Sequence, residues 1–243
     1  MATFTVTTAA DIVNAADGVL SLREAVSQAN ITVAADTIVF SGAVESQTLV
    51  LTGGPISINN DTTIDGDQNN DGIQAIVSGG NETGILSAIG DSTSLSLVDI
   101  QLRDGSVDYE VNNNGGALSF NGESLNIINS SFFYNESSTQ VGSYRNSGAI
   151  YFAGEVLYVR SSTFAYNVGF IGGAIGTSSA GNARVTILDS NFAYNGGGEG
   201  GAINIVGDLV LEDSTLSGNA AFGYNGGFGG GLSLSGSGMI SRT

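Results

Sequence analysis

The chain has 243 residues, 37 of them glycine, with one proline and no cysteine, histidine, tryptophan or lysine. Its 23 acidic residues outnumber 6 arginines, for a formal net charge of −17. This composition excludes a disulfide framework or cysteine zinc site, excludes histidine-based catalysis and ligation, and argues against nucleic-acid binding, which needs clustered cations. No stretch approaches the ~18–20 apolar residues of a membrane span. With 41% hydrophobic residues, many alternating with polar ones, disorder is not expected.

In chain order, Met1-Ala2-Thr3-Phe4 has neither the basic n-region nor the apolar h-region of a secretory signal peptide. Thr3-Phe4-Thr5-Val6-Thr7 alternates as a strand. Ser21-Leu22-Arg23-Glu24 is a capping box, and Leu22, Ala25, Val26 and Ala29 follow at helical spacing. One short helix is therefore predicted from about Leu22 to Ala29. Thr37-Ile38-Val39-Phe40 returns to strand. Residues 1–45 read as an N-terminal cap, and 46–243 as the body.

Asp65, Asp67, Asn69 and Asp71 place oxygen-bearing side chains at alternate positions of a Gly-containing turn that ends at Gly72. A calcium ion takes six to eight oxygens, and this spacing matches the first half of an EF-hand loop. Asn70 stands where that loop needs glycine, and Ile76 where it needs a bidentate glutamate. The four residues are a candidate Ca²⁺ site, set against a polar turn, which also favours Asp, Asn and Gly.

The second half repeats itself at spacings of 24 to 32 residues. Gly115-Gly116-Ala117-Leu118 returns as Ser147-Gly148-Ala149-Ile150, Gly172-Gly173-Ala174-Ile175 and Gly200-Gly201-Ala202-Ile203, and more weakly as Gly230-Gly231-Leu232. About half a repeat later, Ser131-Phe132-Phe133-Tyr134-Asn135 matches Thr163-Phe164-Ala165-Tyr166-Asn167 and Asn191-Phe192-Ala193-Tyr194-Asn195. Thr215-Leu216-Ser217-Gly218-Asn219 is a degraded copy. Between the motifs, Leu125/Ile127, Leu157/Val159, Val185/Ile187 and Leu209/Leu211 alternate with period two, the mark of strands buried on one face. No helix of ten residues fits between them. Such a unit cannot bury its apolar face alone, so neighbours must stack. The predicted fold is all-β: a single-stranded, right-handed parallel β-helix with a short N-terminal capping helix. The repeats are too short for propeller blades, which run ~40–45 residues.

Stacking predicts ladders. Leu118, Ile150, Ile175, Ile203 and Leu232 form one inside; Phe132, Phe164, Phe192 and Leu216 form another. Asn135, Asn167, Asn195 and Asn219 form an amide ladder at a turn. Insertions such as Glu136 to Asn146 are expected to bulge as loops. Tyr134, Tyr166 and Tyr194 share parity with the Phe ladder and so are expected to pack inward or against the turn. An exposed stripe meeting sugars or a partner is the alternative.

The stretch Leu20-Ser21-Leu22-Arg23-Glu24-Ala25-Val26-Ser27-Gln28-Ala29-Asn30, followed by Asp36-Thr37-Ile38-Val39-Phe40, resembles the CSLREA domain that begins many secreted bacterial β-helix proteins. Leu20 stands where that family has cysteine, and fits as a hydrophobic staple. The GGAI motifs and the F-x-x-N pairs Phe132/Asn135, Phe164/Asn167 and Phe192/Asn195 resemble the repeats of polymorphic outer-membrane proteins, a family of surface adhesins. The resemblances imply a β-helix outside the cytoplasm. They do not choose among adhesin, lyase and passive stalk.

The functional expectation is a secreted or cell-surface adhesin or structural stalk. Its partners would be extracellular or cell-surface glycans or proteins, its surface acidic, and its export of the type I kind. Catalysis has two weaker supports. Asp99, Asn129, Ser161, Asp189 and Asp213 fall at equivalent positions, so Asp189 and Asp213 would stack about 5 Å apart, the separation in a retaining glycosidase. Arg160 and Arg184 could serve as a lyase base. A third reading is a self-associating assembly unit. Met239 to Thr243 stops within a coil and lacks a polar cap, which predicts a fragment of a longer protein whose coil end associates with another.

Overall fold

The computed structural model describes residues 1–90, 92–107, 114–137, 146–178, 183–223 and 229–243. The chain winds as a parallel β-solenoid. Each coil of the repeat region runs through four sheets, named here in path order. Sheet A holds Ser124–Ile128 and its counterparts Val156–Arg160 and Ala183–Leu188. Sheet B holds Ser131–Phe133, Thr163–Ala165, Asn191–Ala193 and Thr215–Ser217. Sheet C is a narrow row of two-residue strands, among them Glu136–Ser137, Val168–Gly169 and Gly196–Gly197. Sheet D holds Leu118–Asn121, Ile150–Phe152 and Ile175–Thr177. The ten-residue strand Ile203–Glu212 belongs to both A and D and joins them into one 15-stranded sheet; B has 7 strands and C has 5.

Register follows the motifs. Leu118 pairs with Ile150, Ile150 with Ile175, Ile175 with Ile203 and Ile203 with Leu232. Phe132, Phe164 and Phe192 stack with ring centroids 4.6 and 4.8 Å apart and planes within 3° of parallel, fully buried. Both ladders sit in one continuous core. Burying each such side chain contributes roughly 1.5–3 kcal/mol. The glycines of the GGAI motif mark where successive coils touch backbone to backbone: a Cβ on Gly173 would lie 2.2 Å from the carbonyl oxygen of Gly201.

The segment expected to bulge from Glu136 to Asn146 differs at its start. Glu136–Ser137 pairs with Ser106–Val107 and, through Glu136, with Val168. Two-residue strands carry no periodicity, so sequence patterning could not reveal sheet C. Residues 138–145 lie outside the described residues.

Helix α1 spans Leu22–Ala29 as predicted. The Ser21 hydroxyl accepts from the Glu24 N–H at 3.2 Å, and the Glu24 carboxylate accepts from the Ser21 N–H at 3.0 Å. Leu22, Ala25, Val26 and Ala29 face the core, and Leu20 is partly buried beside them. The helix packs against Thr3–Val6, Asp36–Phe40 and Ile56–Ile58, the first strands of sheets A and D. It therefore covers the N-terminal end of the core. Asp11, with its side chain 2% exposed, fastens this cap. Its carboxylate accepts from Arg23 at 2.8 and 2.9 Å and from the Thr52 and Gly53 N–H groups at 2.7 and 2.9 Å. Burial pushes its pKa up, but the Arg23 bond and the two amides outweigh that and lower it to about 2. A four-residue helix, α2 (Gly42–Glu45), was not apparent in the sequence; it is one turn with no apolar period.

Candidate functional site

Two corners of each coil share one backbone device. Between sheets A and B, Asp99, Asn129, Ser161, Asp189 and Asp213 have φ of +51°, +47°, +51°, +50° and +49°. Between sheets B and C, Asp104, Tyr134, Tyr166 and Tyr194 have φ of +54°, +55°, +58° and +56°, and Gly218 follows at +64°. A single left-handed residue bends the chain sharply and breaks the strand's two-residue alternation. From Asn129 and Tyr134 onward the next residue then points inward and bonds to the adjacent coil; after Asp99 and Asp104 the next residues are Ile100 and Gly105.

At the second corner that inward residue is asparagine. Asn135 Nδ2 donates to Asn167 Oδ1 at 3.0 Å, Asn167 to Asn195 at 3.0 Å and Asn195 to Asn219 at 3.0 Å. Each Oδ1 also accepts the backbone N–H of the preceding coil's asparagine. Each of these Nδ2 groups also donates to a carbonyl one coil earlier, as Asn167 does to Phe132 at 2.9 Å. The predicted amide ladder is therefore present, and Asn135, Asn167 and Asn195 within it are buried and fully bonded. At the first corner the inward residue is serine, a ladder not read from the sequence. The N–H groups of Ser130, Ser162 and Ser190 donate to the hydroxyls of Ser162, Ser190 and Ser214 at 3.1, 3.2 and 3.1 Å. Serines are so common here that this column had no contrast.

The tyrosines correct the sequence expectation. Tyr134, Tyr166 and Tyr194 are not inward: they are 50%, 46% and 59% exposed. The positive φ reverses the parity that linked them to Phe132. Their rings stack on one another with centroids 5.1 and 5.3 Å apart and interplanar angles of 8° and 10°. The stripe abuts Gly218, where a Cβ would lie 2.7 Å from the Tyr194 ring.

The other candidate residues occupy separate places. Asp189 and Asp213 share a row, but they stand on an exposed corner, each beside an arginine. Arg160 lies 3.6 Å from Asp189, and Arg242 lies 2.6 Å from Asp213. Arg184 sits one coil from Asp208 on the outer face of sheet A, in a shallow depression of about 480 Å³ also lined by Thr186, Val210 and Met239. Smaller hollows of about 230 and 190 Å³ flank Asn114 and Ser119, the first between sheets C and D and the second along sheet D.

In the Asp65–Gly72 turn, the side chains bond to the turn itself. Asp65 accepts from the Asp67 N–H at 3.1 Å. Asp67 accepts from the Asp71 and Gly72 N–H groups at 3.0 and 2.9 Å. Asn69 accepts from the Asp71 N–H at 2.9 Å and donates to the Asp71 carboxylate at 3.0 Å. Buried Glu45 lies beside them and accepts from Asn69 Nδ2 at 3.4 Å. Its burial, and then the charges of Asp71, Asp67 and Asp65, push its pKa up. Asp65 is raised as well, by burial first. Among the described residues, no three Asp, Glu, His or Cys side chains are gathered closely enough to hold a metal ion.

The fold and corners define a parallel β-solenoid with a helical N-terminal cap. No known protein family matches the chain, and no curated protein or solved structure matches it. Among the described residues, no helix is long and apolar enough to cross a membrane.

Proposed function

We propose that the chain is a secreted or cell-surface β-solenoid that acts as an adhesin or structural stalk and presents its corners and loops to extracellular glycans or proteins. The observation that carries this reading is the unbroken register of the side-chain ladders from coil to coil. Stacked aliphatic, aromatic and amide columns resist bending, and a stiff rod holds its surface features at fixed spacing. The resemblance of the cap and repeats to secreted β-helix and adhesin families supports the same reading. The test is surface capture. The immobilised chain, screened by plasmon resonance against extracellular glycans, matrix proteins and intact cells, should retain at least one class saturably. Retention of none removes the adhesin reading. Release of new reducing or unsaturated sugar ends would replace it with an enzyme.

Calcium belongs to this proposal at one place. Asp65, Asp67, Asn69 and Asp71 would hold the ion once their side chains release the turn's own bonds; the charges of Asp71, Asp67 and Asp65 raise the pKa of Glu45 beside them, and a divalent cation at the turn would relieve that repulsion. Thermal melting should then show Tm rising to a plateau with added Ca²⁺, and no rise in Asp67→Asn. A Tm indifferent to Ca²⁺ at constant ionic strength removes calcium from the reading.

A further inference from the structure

We propose that the Tyr134–Tyr166–Tyr194 stripe is the binding site for an extended, uncharged polysaccharide that lies along the solenoid axis. This rests on the adhesin reading and gives it a site and a ligand class.

The first argument is conformational. A left-handed backbone costs a bulky residue roughly 1–2 kcal/mol, whereas Asn, Asp and Gly tolerate it. Asp104 and Gly218 occupy the coils on either side of the stripe. Three successive tyrosines therefore sit where a cheaper residue would build the same corner. Their stacking offsets the strain, at about 0.5–1.5 kcal/mol per pair, so stability gives little reason to choose them. Observed backbone strain concentrates where a side chain has work outside the fold.

The second argument is charge. On a chain of net charge −17, the sheet B strands Ser131–Phe133, Thr163–Ala165, Asn191–Ala193 and Thr215–Ser217 carry no ionisable side chain. On the adjoining sheet C strands of the same coils, Glu136 is the one charged residue. Phe222, 47% exposed, lies over Gly196 and extends the aromatic surface. An anionic polymer would be repelled by the rest of the molecule, and a second copy carries the same charge. An uncharged ligand meets neither penalty.

The third argument is geometry. The ring faces are occupied by one another, so a sugar cannot lie flat on the middle ring. What the stripe offers is ring edges and phenol hydroxyls repeated every 5.1–5.3 Å. An extended β-1,4-linked hexose chain advances by one ring length per sugar, and that interval is comparable to the spacing of the stacked tyrosines. It can therefore present a hydroxyl to each tyrosine in turn. The mutual stacking fixes the side chains before binding, which reduces the entropy lost on association.

The experiment is affinity electrophoresis of the whole chain in native gels containing hydroxyethylcellulose, galactomannan or, as the anionic comparison, alginate. At least one neutral glycan should retard the wild type, and alginate should not. The triple variant Tyr134→Asn/Tyr166→Asn/Tyr194→Asn keeps residues that suit the left-handed corner and should lose the retardation. Circular dichroism checks its fold. The triple Tyr→Phe variant keeps the stack and loses the three hydroxyls, and should bind on the order of a hundredfold more weakly, the effect of three net hydrogen bonds. If the Asn variant does not fold, the Phe variant decides, and unchanged affinity overturns the site. Retardation by neutral glycan that persists in the variants overturns the stripe but leaves an adhesin that binds elsewhere. No retardation, with saturable capture of another partner, has the same meaning; no capture of any kind overturns both. Oligomers in light scattering that the Asn variant abolishes would assign the face to a second copy instead.

Discussion

The two corners of the coil are built alike and look outward differently. Both use a left-handed residue followed by an inward polar one that bonds to the next coil. At the first corner four of the five outward residues are Asp or Asn, the types that adopt this backbone most readily, with Ser161 the exception. At the second they are tyrosines, which adopt it reluctantly. The inward position is thus fixed by hydrogen-bond satisfaction, while the outward position is free of the fold and open to selection for contact. Neighbouring residues such as Tyr166 and Asn167 should therefore separate stability from binding.

The largest effect belongs to the amide ladder. Asn167→Ala removes the acceptor for the Asn135 backbone N–H and Nδ2, and the donor to the Phe132 carbonyl and to Asn195. Several buried groups are then left unpaired in one network. A loss of about 3–4 kcal/mol is expected from equilibrium denaturation. Ser162→Ala is the matched test at the first corner. Its hydroxyl accepts from the Ser130 N–H at 3.1 Å and donates to the Arg160 carbonyl at 2.8 Å. With fewer bonds at stake, about 1–2 kcal/mol should be lost. Equal losses at the two sites would break the distinction between a saturated amide network and single hydroxyl links.

Much of this architecture was legible because in a solenoid the register is the repeat. Leu118 aligns with Ile150 in the sequence and lies beside it in space, so aligning the motifs already aligns the coils. The asparagine and phenylalanine columns were readable for the same reason, and the capping box gave the helix its start. The tyrosines were misjudged because parity counting assumes an extended backbone, and one positive φ inverts it. Sheet C escaped because two residues have no period. In the Asp65–Asp71 turn, alternating carboxylates are what both an ion site and a self-bonded turn require, so spacing alone did not separate them.

The cap sharpens the contrast between neutral ladders and charge. The repeats' asparagine ladder does not extend into it; single amides of Asn30 and Asn60 tie it to the first coil, and Asp11 and Arg23 add a charged fastening. The folded pKa of Asp11, about 2, lies below its ordinary 3.8. Its contribution is thus complete above about pH 4 and is lost as pH falls through about 2. With allowance for solvent screening, it amounts to about 1–2 kcal/mol. The stability difference between wild type and Asp11→Asn should shrink by most of that amount on acidification from pH 6 to 2. The difference between wild type and Asn167→Ala should hold constant, because no ionisable group is removed. A pH-dependent Asn167 effect would show that the ladder is energetically coupled to a titrating carboxylate.

The smallest stability effect is expected one residue away from the largest. Tyr166→Asn loses two ring stacks, at 5.1 and 5.3 Å, each worth about 0.5–1.5 kcal/mol. It also relieves a strained left-handed backbone, a gain of roughly 1–2 kcal/mol. The two nearly cancel, so denaturation should place the variant within about 1 kcal/mol of wild type. Tyr166→Phe keeps both stack and strain and should differ still less, since the exposed phenol has water as an alternative partner. Tyr166→Asn falling as far as Asn167→Ala would mean that the stripe, like the amide column beneath it, is there to hold the coils together. A near-neutral result leaves the outward tyrosines without a structural reason to be tyrosine.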